Sequence, residues 1–209
     1  NGGIRAISNQ SPLRAGKGSY YEGGIKVPLI FSWRGKIKEA SKSYERVSNI
    51  DFFPTIQNIV GYKNKDLKLD GIDLNPIFDG RKIEKRALFY HFPIYLQAYN
   101  VQEDNGTDPL FRTRPGSVII EDNWKLHHYF ENDKKELYNI ENDISESYDL
   151  SKVNVQKTTE LFNSLNLWRE ANNAPIPFEK NIKYDQKFVD SINLLIIDGK
   201  LSGRINTNW

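Results

Sequence analysis

Lys17 stands between two glycines near the start of the chain, in the run P-L-R-A-G-K-G at residues 12–18. Gly16 and Gly18 let the backbone turn tightly and approach a ligand while one ammonium group projects from the loop. Such a loop suits a small oxyanion. The spacing of a nucleotide P-loop is absent, and the residues that follow favour a strand rather than a helix. The alternative is a surface loop with a solvated lysine, which is the ordinary interpretation of an isolated G-K-G.

An ordered series of motifs accompanies this loop. N-G-G precedes it at 1–3, and E-G-G-I-K-V-P follows it at 22–28. Further motifs are S-N-I-D-F-F-P-T at 48–55, L-D-G-I-D-L at 69–74, F-Y-H-F-P-I-Y at 89–95, R-P-G-S-V-I at 114–119, W-K-L at 124–126 and E-L-Y-N-I at 136–140. In this order they closely resemble the motifs of the type I sulfatases, in the alkaline-phosphatase-like superfamily. The resemblance implies the α/β fold of those enzymes.

One sulfatase signature does not occur in the chain. This is C-x-P-S-R or its serine variant, and the chain has no cysteine at all. In the family that residue becomes the formylglycine nucleophile, and the paired aspartates of the metal site also lie upstream. The resemblance therefore implies the C-terminal portion of a sulfatase, with the nucleophile and most calcium ligands in a missing N-terminal catalytic part. The isolated chain is expected to be inactive.

The resemblance also assigns roles to residues of the loop and its surroundings. Lys17 is implied to contact the sulfate and to steady the leaving oxygen. Asn1 is implied to ligate Ca²⁺ through its amide oxygen, a donor that suits a hard divalent cation. Arg14 is expected to pair with a carboxylate and so to fix the loop, and Glu22 is the nearest such carboxylate.

Three later residues each leave two interpretations open. His91, between aromatic residues at the end of a predicted strand, either lines the substrate pocket or packs in the core. Arg112 and Arg114 lie in a loop of the sequence that contains proline and glycine. One of them binds a sulfated or carboxylated sugar bidentately, or an arginine there anchors the loop to the sheet.

Hydrophobic periodicity predicts the elements that position the first half of these residues. Residues 27–33 form an apolar run typical of a buried strand in a mostly parallel sheet. A helix follows, capped by Asp51 and ended by Gly61. Its predicted buried face consists of Phe53, Ile56, Ile59 and Val60.

From about residue 86 the pattern changes to short alternating segments. They predict an antiparallel meander with strands at 87–92, 117–121, 124–130 and 136–140. His127 and His128 alternate on one strand, so we expect one to face inward and the other outward. A helix over 152–172 is predicted to cover one face of this sheet. We therefore divide the chain into 1–85, the C-terminal part of the catalytic α/β domain, and 86–209, a subdomain with an antiparallel sheet and a helix.

Composition and the later motifs limit the kinds of molecule that the protein is expected to bind. A net charge of +2 gives no argument for a nucleic-acid partner, and no stretch has the length of a transmembrane helix. The motifs between 91 and 119 look most like bacterial enzymes that act on sulfated carbohydrates, which implies a periplasmic or secreted protein and a sulfated carbohydrate or other sulfate ester as substrate. The alternatives are a phosphodiesterase or phosphonate monoester hydrolase of the same superfamily, and a non-catalytic carbohydrate-binding fragment.

Overall fold

A four-stranded antiparallel sheet organises the structure, a computed structural model that describes residues 2–4, 7–62, 66–97 and 111–177. Its strands lie in the order β1, β4, β5, β6, and a second, two-stranded sheet pairs β2 with β3. The strands are β1 (Leu88–Phe92), β2 (Leu96–Gln97), β3 (Phe111–Thr113), β4 (Gly116–Glu121), β5 (Trp124–Tyr129) and β6 (Lys134–Asn139). The predicted meander is confirmed. The pair β2–β3 has no signal in the sequence, because two or three residues are too few to show a period.

Four helices and one 3-10 turn complete the described elements. They are α1 (Glu22–Ile25), the 3-10 turn Asn49–Asp51, α2 (Phe52–Ile59), α3 (Asn75–Phe78) and α4 (Val155–Ala171). The predicted helix over 152–172 is confirmed as α4. The side-chain oxygen of Asn154 caps it by accepting the N–H of Lys157 at 3.1 Å. None of the described helices is long and apolar enough to cross a membrane.

Both faces of the four-stranded sheet are covered. On one face Leu126 packs with Leu161 and Leu165 of α4 in an apolar cluster. On the other face the segment 14–25 packs on alternate residues of the same strands. His127 and His128 therefore point to opposite faces as predicted, but the expectation that one faces outward is wrong: they are only 0% and 7% exposed. A strand covered on both sides has no outward face.

The predicted strand at 27–33 is wrong. The segment has no regular secondary structure, and Val27 and Ile30 are 50% and 88% exposed. A strand forms only where a neighbour accepts and donates its backbone hydrogen bonds, and none of the described strands pairs with this segment. The apolar run identified a segment that is suited to a sheet, but it could not identify the neighbour.

The predicted helix at 51–61 is confirmed as α2, but its cap and its burial are not. Helical turn begins already at Asn49, and Asp51 instead accepts the N–H of Ser48 at 2.7 Å from inside that first turn. The apolar face is exposed: Phe53 by 53% and Ile56 by 58%. The buried residue of α2 is instead Thr55, which is not one of the four residues predicted to be buried.

All of these elements lie in one compact unit, Asn1–Ile176, and Pro177 is the one described residue beyond it. The division of the chain at residue 85 stays a prediction.

Candidate active site

The segment that carries Lys17 is a closed loop. The N–H of Gly23 donates to the carbonyl of Arg14 at 2.9 Å and so joins the two ends of the loop. The N–H of Ser19 donates to the carbonyl of Gly16 at 3.0 Å, which forms a tight turn around Lys17. Residues 15–16 and 19–24 are buried, whereas Lys17 is exposed. The loop therefore presents one ammonium group to solvent from a buried base.

Two glycines are required for this closure. Gly18 has φ +87°, and a Cβ there would lie 2.6 Å from the side chain of Leu96. A Cβ on Gly23 would lie 2.3 Å from the carbonyl oxygen of Arg14, at the hydrogen bond that closes the loop. The positive φ at Gly18 and the close backbone contact at Gly23 both favour a residue without Cβ.

Arg112 lies beside Lys17. Its guanidinium group donates to the carbonyl oxygen of Lys17 at 3.3 Å, and its side chain borders Gly18. A shallow depression runs from this point between the loop and β3, lined by Ser19, Tyr20, Phe111 and Thr113 among others. The structure thus places Arg112 against the backbone of the lysine loop, so two of the predicted substrate-binding residues are neighbours. Lysine and arginine side chains are both suited to binding an oxyanion.

Arg114 is engaged at the other end of β3. Its guanidinium group lies 2.9 Å from the carboxylate of Glu131, in the turn between β5 and β6. The hydroxyl of Tyr95 donates to the same carboxylate. These contacts are those expected of an arginine that anchors its loop to the sheet.

His91 lies on the face of the sheet that packs against α4, away from Lys17. Its Nδ1 lies 2.8 Å from the hydroxyl of Ser117, and its Nε2 lies 2.9 Å from the carbonyl oxygen of Pro175. A carbonyl oxygen only accepts, so the partners assign the proton to Nε2 and leave Nδ1 to accept from Ser117. Burial lowers the pKa of His91, which favours this neutral form.

Arg14 and Glu22 both hold the loop, through partners that the sequence did not indicate. The guanidinium group of Arg14 lies 4.0 Å from the ring centre of Tyr21 and donates to the carbonyl oxygen of Glu146 at 2.8 Å. The carboxylate of Glu22 lies 3.0 Å from the ammonium group of Lys125. Both residues therefore lie in the interface between the loop and the sheet.

Sequence reasoning missed Lys125 and Glu146, which are both fully buried. The sequence did contain a signal for Lys125. Alternate residues of a strand point to the same face, so Lys125 lies on the same face of β5 as His127 and Tyr129, which contact the loop. A charged residue on the buried face of a strand requires a buried partner. Glu146 lies in a polar turn with no period, so nothing in the sequence indicates its burial.

Asn1 lies outside the described residues. Among the described ranges, no group of three or more His, Asp or Glu side chains could hold a metal ion. The described part of the chain therefore does not supply a site for the expected calcium.

The antiparallel sheet, its covering helix and the glycine-closed lysine loop define the C-terminal portion of an alkaline-phosphatase-like sulfatase. Residues 16–171 match the family described as N-sulphoglucosamine sulphohydrolase, C-terminal, and the chain belongs to that family.

Known relatives agree with this assignment. A sulfatase of Formosa agariphila is 36% identical over 192 residues, which are 84% of this chain and 32% of that protein. Human steryl-sulfatase is 35% identical over 97 residues, 45% of this chain and 17% of that protein. The crystal structure of Ps i-CgsB in complex with k-i-k-neocarrahexaose is 28% identical with a TM-score of 0.63, and the match covers 88% of this chain and 38% of that one. The chain thus spans between 17% and 38% of the length of these three proteins.

Proposed function

We propose that this chain is the C-terminal part of a sulfuric ester hydrolase that removes sulfate from a sulfated carbohydrate, and that Lys17 is its sulfate-binding lysine. The observation that carries the proposal is the exposed ammonium group of Lys17 on a buried, closed loop, with Arg112 beside it. The similarity to a structure that holds a neocarrahexaose supports a carbohydrate as substrate.

Sulfate-ester hydrolysis breaks a bond between sulfur and the ester oxygen, and negative charge grows on that oxygen as the bond breaks. An ammonium group that donates to this oxygen stabilises the transition state more than the ground state. In our proposal Lys17 supplies this donor, and Arg112 binds a sulfuryl or carboxylate oxygen of the same substrate. The products are inorganic sulfate and the free hydroxyl of the carbohydrate, after uptake of one water molecule.

The contacts favour structural roles for two other predicted residues. We propose that His91 packs between β1 and α4, because both of its ring nitrogens have protein partners there. We propose that Arg114 anchors β3 through Glu131, so that Arg112, two residues away, stays beside the lysine loop.

The remaining machinery belongs, in this proposal, to an N-terminal catalytic part of a longer protein. That part would supply the formylglycine nucleophile, derived from Cys or Ser, and the calcium site to which Asn1 contributes. It would also cover the exposed apolar side chains of 27–33 and α2, and residues 1–85 would complete its α/β domain. The isolated chain would then be inactive, and the whole enzyme would act in the periplasm or outside the cell.

The test compares Lys17→Ala with Lys26→Ala in the full-length product of the native gene. Lys26 is also an exposed lysine, but it follows the loop. Sulfate release from a sulfated neocarrahexaose should fall by about 10²- to 10³-fold in Lys17→Ala and stay unchanged in Lys26→Ala. Full activity of Lys17→Ala would contradict the role of this lysine, and faster turnover of phosphate or phosphonate esters than of sulfate esters would contradict the reaction.

A further inference from the structure

We propose that Glu146 and Lys125 are positioning residues that hold the lysine loop on the sheet and so fix Lys17 for the reaction. This inference rests on the proposed function of Lys17. It concerns a buried network of charges on the face of the sheet opposite α4, none of which contacts the exposed ammonium group directly.

Glu146 fastens both ends of the loop. One of its carboxylate oxygens accepts the N–H of Glu22 at 2.5 Å, at the end of the loop. Its backbone carbonyl accepts from the guanidinium group of Arg14 at 2.8 Å, at the start of the loop. Glu146 itself has φ +50° and no exposed surface. One residue from a distant turn thus holds the two points between which Lys17 is presented.

Lys125 connects Glu146 and Glu22 to the sheet. Its ammonium group lies 2.9 Å from the carboxylate of Glu146 and 3.0 Å from that of Glu22, and none of its side chain is exposed. Lys125 is part of β5, which is hydrogen-bonded to β4 on one side and to β6 on the other. The position of the loop is therefore set by a strand whose own position is fixed on both edges.

The network is balanced in charge. Lys125 and Arg14 offset the carboxylates of Glu22 and Glu146, and His127 lies 3.3 Å from Glu146. Burial would raise the pKa of Glu146, but the charge of Lys125, the contact with His127 and the hydrogen bond from the N–H of Glu22 together hold the pKa below its ordinary value. The carboxylate is thus ionised. Removing Lys125 would leave two buried carboxylates without their ammonium group, whereas removing the side chain of Glu146 would leave Lys125 paired with Glu22.

Further contacts keep the loop on the sheet without Glu146. The hydroxyl of Tyr20 lies 2.9 Å from the carbonyl oxygens of Phe92 and Gly116, and the hydroxyl of Tyr21 donates to Glu136 at 2.8 Å. We therefore expect Glu146→Ala to loosen the loop rather than to unfold the protein.

The experiment uses the full-length gene product with Glu146→Ala, Glu146→Gln and Leu161→Ala. Glutamine keeps an acceptor for the N–H of Glu22, so it should restore most of what alanine loses. Leu161 lies in the apolar cluster on the other face of the sheet, and its truncation destabilises the core without a contact to the loop. In Glu146→Ala we expect kcat to fall about 100-fold while KM stays within threefold, because a displaced catalytic group slows the chemical step. Leu161→Ala should retain kcat at temperatures where it is folded.

Amide hydrogen exchange gives a second readout that does not need activity. The N–H groups of Lys17 and Ser19 bond to Gly3 and Gly16, not to Glu146. They should exchange at least tenfold faster in Glu146→Ala and at the wild-type rate in Leu161→Ala. Unchanged exchange at these two amides, or an equal loss of kcat in Leu161→Ala, would overturn the inference. If the wild-type protein hydrolyses no sulfate ester but the exchange responds as expected, the proposed function fails and the positioning of the loop stands.

Discussion

Lowering the pH should destabilise the protein through His128. This ring lies in the interface between β5 and α4, where the guanidinium group of Arg169 donates to its Nδ1 at 3.0 Å and its Nε2 lies 2.7 Å from Asp133. Guanidinium only donates, so Nδ1 must be the acceptor and the proton sits on Nε2. A second proton, on Nδ1, would face the positive charge of the Arg169 guanidinium group and break this hydrogen bond.

The magnitude follows from the pKa. Burial, with the charges of Arg169 and Lys135 added, lowers the pKa of His128 to about 4 in spite of its bond to Asp133. The unfolded chain takes up this proton at about pH 6.5. The contribution of the neutral His128 ring to the free energy of unfolding is therefore fully present above pH 6.5 and is lost as the pH falls toward 4. Linkage gives a loss of about 2 kcal/mol by pH 5 and about 3 kcal/mol by pH 4. Asp133, whose pKa is lowered, titrates below this window.

The assay is urea unfolding of the full chain at pH 7 and pH 5, for the wild type and His128→Gln. Glutamine has an oxygen and an N–H for the two partners but does not titrate. Burial also lowers the pKa of His127, so both proteins lose some stability, and the wild type should lose about 2 kcal/mol more than the variant. NMR titration of the imidazole rings is a direct check, since the chain has three histidines. A pKa near 6.5 for His128, or equal losses in the two proteins, would refute the reasoning.

Three further predictions concern stability and can be measured by the same unfolding assay. Leu165→Ala should cost about 2–5 kcal/mol, because the side chain is fully buried between α4 and the sheet, whereas the exposed Leu167→Ala should cost little. Asn154→Ala should cost about 1 kcal/mol by removing the cap of α4, and Asn154→Asp should retain most of it. Arg86→Met should cost about 3–5 kcal/mol at pH 7, because it leaves the fully buried carboxylate of Asp51 without its cation. A loss below 1 kcal/mol for Arg86→Met would show that water reaches Asp51.

The sequence predicted those parts of the fold whose burial depends on near neighbours. The strands that became β4 and β5 pair through a two-residue turn, and α4 covers the sheet that directly precedes it. Residues 27–33 and α2 show equally clear apolar patterns, yet these side chains are exposed, because a pattern states that a face can be buried and not what covers it. Local pattern therefore predicted elements more reliably than their burial.

In the candidate site, too, the sequence indicated some residues and gave no sign of others. Lys17 could be recognised because its glycines are adjacent in the sequence, and Arg112 was a candidate that the fold then brought beside it. Glu146 lies more than a hundred residues from the loop that it fastens, in a polar turn. No local signal marks such a residue, because its burial arises only when the sheet places the turn beneath the loop.

The two faces of β5 differ in chemistry, and this difference helps to fix the register in which β5 pairs with its neighbouring strands. Lys125 and His127 face a charged, hydrogen-bonded layer, while Leu126 faces an apolar one. A shift of one residue would exchange these sets, placing an ammonium group against leucines and a leucine among carboxylates. Both errors are costly at once, so misaligned pairings are strongly disfavoured during folding. One inserted residue in the turn before β5 should therefore be tolerated far less than an insertion of the same size in an exposed loop.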